Sequence, residues 1–315
     1  MADRPLLSRV RVLAAVAEDS PGTAEDLTAT EAAFNVYDAK IEPEIEMAER
    51  LKQGGYGRLP SYRGALAGRA TFGIDLTGGA VQPGWAAVFL PACGFAYSTD
   101  HYVLDKTPPE ADGAGTHTLT FGIYEDGRVK SIYGAQGKVK GTFDSGKIVR
   151  LDFEFLGIWA TVADAAILAP TYPTDPPLRF SSSDLSIGGA WSPKISQLVL
   201  DINNTLYLRP DAVSASGFSN CLITDRQVTG AIDPEARLVD DEDLWGDWLS
   251  SVESTFTFDC VADDDADDDC SFTATKFQVT KVSGGNRENL ETDPIEFSLN
   301  NDDLEIAFGG GAESS

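Results

Sequence analysis

The chain has 315 residues, of which 42% are hydrophobic, and its formal net charge is −26. This length predicts one to three domains with real apolar cores. The charge excludes a basic nucleic-acid binder, which needs Lys and Arg to contact phosphates, and it disfavours docking on anionic membranes. Three interpretations stay open: a surface kept soluble, adaptation to high salt, or a surface that repels DNA. The longest apolar runs, 86–97 and 159–170, are too short to span a bilayer.

Residues 1–32 are predicted to form an N-terminal arm. The segment is rich in Ala, Thr and Glu, and Ser20–Gly22 interrupts any helix. Arg9 and Arg11 lie inside its apolar stretch, which disfavours a signal peptide. We therefore expect synthesis in the cytoplasm.

Residues 33–169 are predicted to form a first β module. Leu119, Phe121 and Ile123 alternate with polar residues, and Glu125–Gly127 marks a hairpin turn. A later strand has an apolar and a charged face, with Val149, Leu151, Phe153 and Phe155 on one side and Arg150, Asp152 and Glu154 on the other.

One short helix is predicted in this module. Pro83 occupies a favourable position just before Trp85–Leu90, and Pro91 is expected to end the helix early.

A Pro-rich segment, residues 170–179, is predicted to link the first module to a second β module at 180–308. Asp240–Asp243 can cap and charge the start of a second helix. Its apolar residues share one helical face: Leu244, Trp245, Trp248, Leu249 and Val252. Residues 309–315 are expected to be a disordered tail. The predicted fold class is therefore mainly β: two tandem β-sandwich or barrel modules, each with one flanking short helix.

The two modules carry the same weak pattern. Arg69 leads through a glycine to Asp75, and Arg226 leads through a glycine to Asp233. Each module then closes with a Lys-Val-x-Gly stretch and an alternating strand: 138–141 and 151–155 in the first, 281–284 and 295–299 in the second. Such a duplication predicts an assembly in which one chain supplies two subunits' worth of surface.

Residues for catalysis are mostly missing. His101 and His117 belong to no metal-spacing motif or triad, so both are interpreted as surface or structural residues. No nucleophile with a matching base is recognised, and we expect neither enzymatic activity nor a cofactor.

Asp263, Asp265, Asp267 and Asp269 are weak candidates for calcium ligands. The glycine turn and the terminal Glu of an EF-hand are missing, so a solvated loop is the default interpretation. These residues belong to a longer acidic stretch: thirteen Asp or Glu residues and no Lys or Arg lie between Arg237 and Lys276. This stretch predicts a surface patch of one sign.

Cysteines are few. Cys93 and Cys221 are predicted to be buried thiols. Cys260 and Cys270 flank the acidic run, and a hairpin could bring them within bonding distance. Reduced thiols and a disulfide both stay open for this pair.

From about residue 5 to 308 the chain resembles the tail tube (major tail) proteins of tailed bacteriophages. The resemblance depends on the order and spacing of weak motifs: 9–14, 21–23, 92–94, 124–127, 133–139, 146–157, 223–226 and 230–235. Together with the repeat it singles out eight structural residues: Arg69, Asp75, Cys93, Gly94, Gly134, Gly137, Arg226 and Asp233.

The resemblance implies a virion tail protein, made in the bacterial host's cytoplasm, that forms stacked rings. Strands would join across subunits around a lumen through which DNA passes without specific binding. Two modules per chain favour a trimer with pseudo-six-fold symmetry over a hexamer. Tape measure, terminator and distal tail proteins are the further partners implied, and no membrane is among them.

An acidic lumen would repel DNA over about 8 Å at physiological salt. Asp152 and Glu154 are candidates for its wall. The arm and the loop 106–116 are expected to reach the next ring. Two alternatives stay open: another virion ring, such as a tail terminator or baseplate hub, and a secreted, calcium-stabilised β-sandwich binding module.

Overall fold

The computed structural model of the chain describes residues 7, 9–79, 82–107, 115–160, 162–262 and 269–309. It is mainly β, as predicted, with two short α-helices and antiparallel sheets. The first half contains α1 (Gly84–Ala92) and the strands β1 (Arg11–Ala17), β2 (Val36–Glu44), β3 (Met47–Leu51), β4 (Arg58–Arg63), β5 (Ala67–Asp75), β6 (Phe95–Ser98), β7 (His101–Leu104), β8 (Leu119–Glu125), β9 (Arg128–Asp144), β10 (Arg150–Trp159) and β11 (Ala163–Asp164).

The second half contains α2 (Leu244–Ser250) and eleven further strands. They are β12 (Ser186–Ile187), β13 (Gln197–Asp201), β14 (Asn204–Pro210), β15 (Phe218–Arg226), β16 (Thr229–Ile232), β17 (Glu253–Cys260), β18 (Cys270–Val282), β19 (Gly285–Arg287), β20 (Leu290–Thr292), β21 (Ile295–Leu299) and β22 (Glu305–Phe308).

A 16-stranded antiparallel sheet runs through both halves. Its path begins with β2-β5-β10-β9 from the first half and β13-β16-β21-β18 from the second, and the start of β18 then carries it on into β22, β7 and β6. We call the first eight strands the eight-strand path. The halves meet in the ladder between β9 and β13, where Asp144 lies opposite Gln197 and Lys140 lies opposite Asp201. Each half therefore contributes four neighbouring strands to one continuous surface.

The alternation predicted for β10 is confirmed. Leu151, Phe153 and Phe155 are buried, whereas Asp152 is exposed and Glu154 is half-buried. Burying every second side chain is what places one face of a sheet on the core and leaves the other in water. Rings from both halves, among them Phe153 and Phe297, belong to one hydrophobic cluster.

Part of the predicted arm belongs to the sheet. Residues 11–17 form β1, which pairs with β8 along its whole length, and Leu13, Ala14 and Ala15 are buried. Sequence alternation missed this strand because apolar side chains on both of its faces are covered. Residues 1–6 and 8 lie outside the described part of the chain.

Glu18 fixes the end of β1. Its carboxylate accepts hydrogen bonds from the Gly22 amide (2.7 Å), the Thr118 hydroxyl (2.7 Å), the Thr120 hydroxyl (2.8 Å) and the Gly134 amide (2.6 Å). One acidic side chain thus ties this N-terminal segment to β8 and β9.

The segment 170–179 contains no helix and no named strand, and its end is built into the core. Leu178 is 1% exposed, and its amide donates to the Leu76 carbonyl at 2.8 Å. Arg179 exchanges main-chain hydrogen bonds with Val261 at 3.1 and 3.0 Å. The segment therefore contacts both halves, and the boundaries of the two modules stay a prediction.

Both predicted helices are present. In α1, Trp85, Phe89 and Leu90 are buried, and the helix runs past Pro91 to Ala92 because a proline in the last turn does not need to end it at once. In α2, the Asp243 carboxylate accepts a hydrogen bond from the Gly246 amide at 2.8 Å, as a capping residue does.

The apolar face predicted for α2 is only partly covered. Leu244 is buried and Trp248 packs on the core, but Trp245 and Leu249 are 42% and 79% exposed. The helical spacing was identified correctly, and the extent of its burial was not.

Candidate assembly surface

The open face of the eight-strand path is polar and carries more acids than bases. Ten carboxylates lie on it: Asp38, Glu42, Glu44, Asp75, Asp144, Asp152, Glu154, Asp201, Asp233 and Glu296. Six basic residues accompany them: Lys40, Arg69, Lys138, Lys140, Arg150 and Lys281. Asp152 and Glu154, predicted as wall residues of a lumen, are both in this set.

Carboxylates neutralise at least four of those six bases. Arg69 lies 2.5 Å from Glu44 and also contacts Glu154, which is 3.6 Å from Lys138. The remaining pairs are Arg150 with Asp152 at 3.0 Å and with Asp38 at 3.5 Å, and Lys281 with Glu296 at 2.6 Å. The face is therefore net negative, and most of its cations are already paired.

The path has an open edge at each end within the described chain. β2 pairs with β5 alone. Beyond Gln278, β18 pairs with β21 alone, since its contacts with β17 end at that residue. Unpaired strand edges present main-chain donors and acceptors that another strand can bind.

The same pairing scheme occurs in both halves. Leu151 of β10 lies between Ile74 of β5 and Gly141 of β9. Ile295 of β21 likewise lies between Ile232 of β16 and Val282 of β18. The repeated Ile-Asp pattern therefore falls at matching places. The Lys-Val-x-Gly pattern falls on matching strands but not in the same register, because Val139 lies opposite Phe153 whereas Val282 lies opposite Ile295.

Four of the eight singled-out residues meet at one buried joint between the halves. Asn204, 4% exposed, donates to the carbonyls of Cys93 and Gly137, both at 2.8 Å. The side-chain oxygen of Asn204, Oδ1, accepts a hydrogen bond from Arg226 Nε at 3.0 Å. Arg226 Nη2 donates to the main-chain carbonyl of Gly94 at 3.2 Å. Side chains of the second half thus donate hydrogen bonds to main-chain carbonyls of the first half.

The glycines of this joint are required by space. Gly94 has φ +85°, and a Cβ there would overlap the Arg226 guanidinium. A Cβ on Gly137 would overlap the Phe155 ring. Burial lowers the pKa of Arg226, while the charges of Asp302 and Asp105 oppose that change.

Arg69, matched to Arg226 by the sequence repeat, has a different role. Its side chain is 34% exposed on the polar face, whereas that of Arg226 is 9% exposed. The repeat therefore equates two arginines that the tertiary structure uses differently.

Asp75 and Asp233 follow matching strands and orient neighbouring side chains. Asp75 accepts a hydrogen bond from the Tyr37 hydroxyl at 2.5 Å, and this bond raises the pKa of Tyr37. Asp233 accepts from the amides of Ser196 (2.8 Å) and Gln197 (3.0 Å) and from Arg287 (3.0 Å). Partial burial pushes the pKa of Asp233 upward, but these partners outweigh it and the pKa is lowered.

Gly134, the remaining residue of the eight, donates its amide to Glu18 at a main-chain φ of +59°. Sequence reasoning missed both anchoring side chains, Glu18 and Asn204. Asn203 has the left-handed φ of a turn, +49°, and Asn204 directly after it begins β14.

Two hairpins occupy matching places but have different surroundings. The hairpin β14–β15 packs on the first half, where Leu208 and Cys221 form a cluster with Ile158 of β10. The hairpin β3–β4 is exposed at every residue of both strands. Its exposed apolar side chains are Met47, Leu51, Tyr56, Leu59 and Tyr62.

The remaining chemical candidates of the sequence are the acidic cluster and the histidines. Among the described residues, no group of three or more His, Cys, Asp or Glu side chains is placed to hold a metal ion. Asp263, Asp265 and Asp267 lie outside the described residues, and Asp269 accepts a hydrogen bond from the Ala262 amide at 2.7 Å. His101 lies against Asp100 at 2.8 Å.

Cys260 and Cys270 lie directly opposite each other on β17 and β18. Both are buried free thiols, and burial raises the pKa of each. Their disulfide stays a prediction. Cys93 and Cys221 are buried, as predicted.

The acidic stretch around α2 contains neighbouring carboxylates. Burial and the charges of Asp247 and Asp243 raise the pKa of Glu242, against the charge of Arg237. Burial and the charge of Asp243 raise the pKa of Asp247. Mutual repulsion of this kind is expected of a patch with one sign.

These features define a mainly β protein in which one face of a long sheet is polar and net negative. The sequence pattern of the phage tail tube protein family matches residues 8–311, which is nearly the whole chain. The chain therefore belongs to the phage tail tube protein family, and the predicted resemblance is confirmed.

Family membership makes the protein a structural component of phage tails, located in the virion. No curated protein matches the chain. None of the helices in the described ranges has the length and apolar character needed to cross a membrane.

Proposed function

We propose that the protein polymerises as stacked rings that form the wall of the tail tube, and that DNA passes through the lumen during ejection. One observation carries the proposal: eight neighbouring strands of the sheet share an acidic, solvent-facing side, and within the described chain β2 and the part of β18 beyond Gln278 each pair with one strand only. Open edges are a hazard in an isolated protein, and ring closure would cover them. The protein acts structurally and has no catalytic role.

Three copies would close the ring with pseudo-six-fold symmetry. Each chain already contains two similar sets of four strands joined edge to edge through β9 and β13. Repeating that joint between chains would give six sets from three copies, so we favour a trimer over a hexamer.

The polar face would line the lumen. Its ten carboxylates outnumber its six bases, and at least four of the bases are paired with carboxylates. Such a wall would repel phosphates within a Debye length of about 8 Å and would give DNA few free cations to bind.

The exposed hairpin β3–β4 would contact a neighbouring subunit. Its segment 46–64 carries four basic residues, Arg50, Lys52, Arg58 and Arg63, and two acids, Glu46 and Glu49, in a chain of net charge −26. A basic hairpin with exposed Met, Leu and Tyr side chains suits an acidic copy of the same chain. The loop 106–116, of which 108–114 lie outside the described residues, is a second proposed contact. Tape measure, terminator and distal tail proteins would bind at the tube's ends.

Negative-stain electron microscopy of the purified protein, with light scattering over a range of concentration, tests the proposal. Hollow filaments or stacked annuli are expected, built from a trimeric unit. A monodisperse monomer at every concentration and salt level would contradict the proposal. Single closed rings that never stack would favour a terminator or hub ring instead.

A matched pair of variants tests the hairpin. Leu51→Ser with Tyr56→Ser removes exposed apolar groups from β3–β4 and its turn, and we expect filaments to shorten or disappear while the fold is kept. The control is Val213→Ser, which removes a 95% exposed side chain from the β14–β15 turn and should leave assembly unchanged. Equal filament lengths for both variants would exclude the hairpin contact.

A further inference from the structure

We propose that neighbouring copies join by pairing the start of β2 of one copy with the end of β18 and the two residues that follow it in the next copy, in a register that places Tyr37 opposite Ser283 and Val36 opposite Gly284. This register rests on the proposed function and specifies its interface. It follows from the ladder that joins the two halves inside one chain.

The internal ladder supplies the template. Thr142 of β9 lies opposite Val199 of β13, and Phe143 lies opposite Leu198. The Ile202 amide donates to the Val139 carbonyl at 3.1 Å, so that pair is hydrogen-bonded. Bonded and non-bonded pairs alternate in an antiparallel ladder, which makes Thr142 and Val199 a non-bonded pair with Cα atoms about 4.5 Å apart.

The end of β18 matches β9. Gly141 pairs with Leu151, and Val282 pairs with Ile295, the residue that matches Leu151. Ser283 therefore takes the place of Thr142. Its amide donates inward to the Pro294 carbonyl at 3.0 Å. Because main-chain groups alternate in direction along a strand, those of Val282 point to the open edge.

The start of β2 matches β13. Leu198 pairs with Ile232, and Val36 pairs with Ile74, which occupies the same place in the first half. Tyr37 therefore takes the place of Val199. A bulge follows at Asp38, whose φ is +52°, and Pro43 has no amide to donate, so the pairing would end before Pro43.

The two edges are compatible in shape. No atom lies within 4 Å of where a Cβ of Gly284 would be, so the face of the sheet is uncovered at this position. Tyr37 is 45% exposed, and its ring is held by Asp75 and by Arg150, whose guanidinium carbon lies 5.6 Å from the ring centre. The small Ser283 opposite leaves room for that ring.

Cysteine cross-linking tests the register. A non-bonded pair has the Cα spacing of a disulfide, so Tyr37→Cys combined with Ser283→Cys should form bonds between copies under copper-catalysed air oxidation. We expect covalent trimers on non-reducing gels, and covalent dimers when the two single variants are mixed. The control Thr142→Cys with Val199→Cys should bond within one chain and stay monomeric on the gel. The unsubstituted protein, whose four thiols are buried, should not cross-link.

Two results would overturn the register while leaving the proposed function intact: tubes without cross-links at Tyr37 and Ser283, or stronger cross-linking of Tyr37→Cys with Lys281→Cys, two residues away. Monomers that never assemble would instead contradict the proposed function itself. Dimers from the mixed single variants, in assemblies visible by microscopy, would support both.

Discussion

The two helices differ in how completely the rest of the chain covers them. In α1, Phe89 is fully buried, and its ring packs at 4.8 Å from Phe34 and 5.0 Å from Phe72. In α2, Trp245 and Leu249 are exposed. The first half has β1, seven residues long, in its outer layer, whereas the matching β12 has two. The four-strand sheets are repeated, whereas the outermost strand is much shorter in the second half.

The same difference extends to the hairpins and the repeated arginines. The second half inserts β14–β15 and Arg226 into the first half. Its counterpart β3–β4 is exposed, and Arg69 stays on the sheet surface. The second-half copy of each element thus makes contacts within the chain, whereas the first-half copy stays at the surface and is free to contact another molecule.

The largest expected effect tests whether the halves share one core. Phe153→Asp and Phe297→Asp each place a charge where a ring is 2% or 1% exposed. Losing the packed ring and burying an unpaired carboxyl group together remove most of the roughly 5–15 kcal/mol of a typical fold, so both variants should be unfolded by circular dichroism. A variant of Phe297 whose first half stays folded and melts cooperatively would show two independent cores.

The helices themselves give the next largest difference. Trp85→Ala should lower the free energy of unfolding by about 3–5 kcal/mol, because it empties a packed site. Trp245→Ala on α2 should change it by less than about 1 kcal/mol, because the side chain is 42% exposed. Urea unfolding of the isolated subunit measures both. Equal losses would mean that α2 is as well covered as α1.

The repeated arginines should differ in the same direction. Arg226→Met removes the hydrogen-bond donor to Asn204 and to the main-chain carbonyls of Asp105 and Gly94, and it removes the ion pair with Asp302. The free energy of unfolding should fall by about 3 kcal/mol. Arg69→Met removes partly exposed ion pairs and should cost no more than about 1 kcal/mol. Thermal melts of both variants measure the two losses of stability. A larger loss for Arg69→Met than for Arg226→Met would contradict the role given to Arg226 at the joint between the halves.

The smallest effects depend on pH. The pKa of Asp233 is lowered, so its bonds stabilise the fold above the unfolded pKa near about 4 and lose this effect as pH falls through the folded value. Asp233→Asn should therefore destabilise at pH 7 by about 1 kcal/mol, and the loss should become smaller as pH falls below about 4.

Asp247 should behave oppositely. Its raised pKa means that ionisation costs stability at neutral pH, and the cost disappears as pH falls through the folded pKa. Asp247→Asn should stabilise slightly at pH 7, by less than about 1 kcal/mol, and not at pH 3. Melting curves at the two pH values check both signs, and a loss of stability for Asp247→Asn at pH 7 would contradict the repulsion around α2.

Much of the fold was predictable from local patterns. The β10 strand, both helices and the capping role of Asp243 were predicted, since each depends on spacing within a few residues. β1 was missed because a strand covered on both faces has no alternation to detect. Glu18 and Asn204 were missed because their partners lie far away in the sequence, up to 116 residues for Glu18 and 111 for Asn204.

The sequence by itself determined the mainly β class, the repeat of strands, the family and the acidic balance. Each of these is a property of residue order and composition, so no distant contact is needed to recognise it. Only the tertiary structure decided that the two sets of strands form one surface, which edges stay open, and which hairpin is buried. Those outcomes depend on main-chain groups and side chains that meet across long separations, and a strand edge looks the same in sequence whether or not another strand covers it.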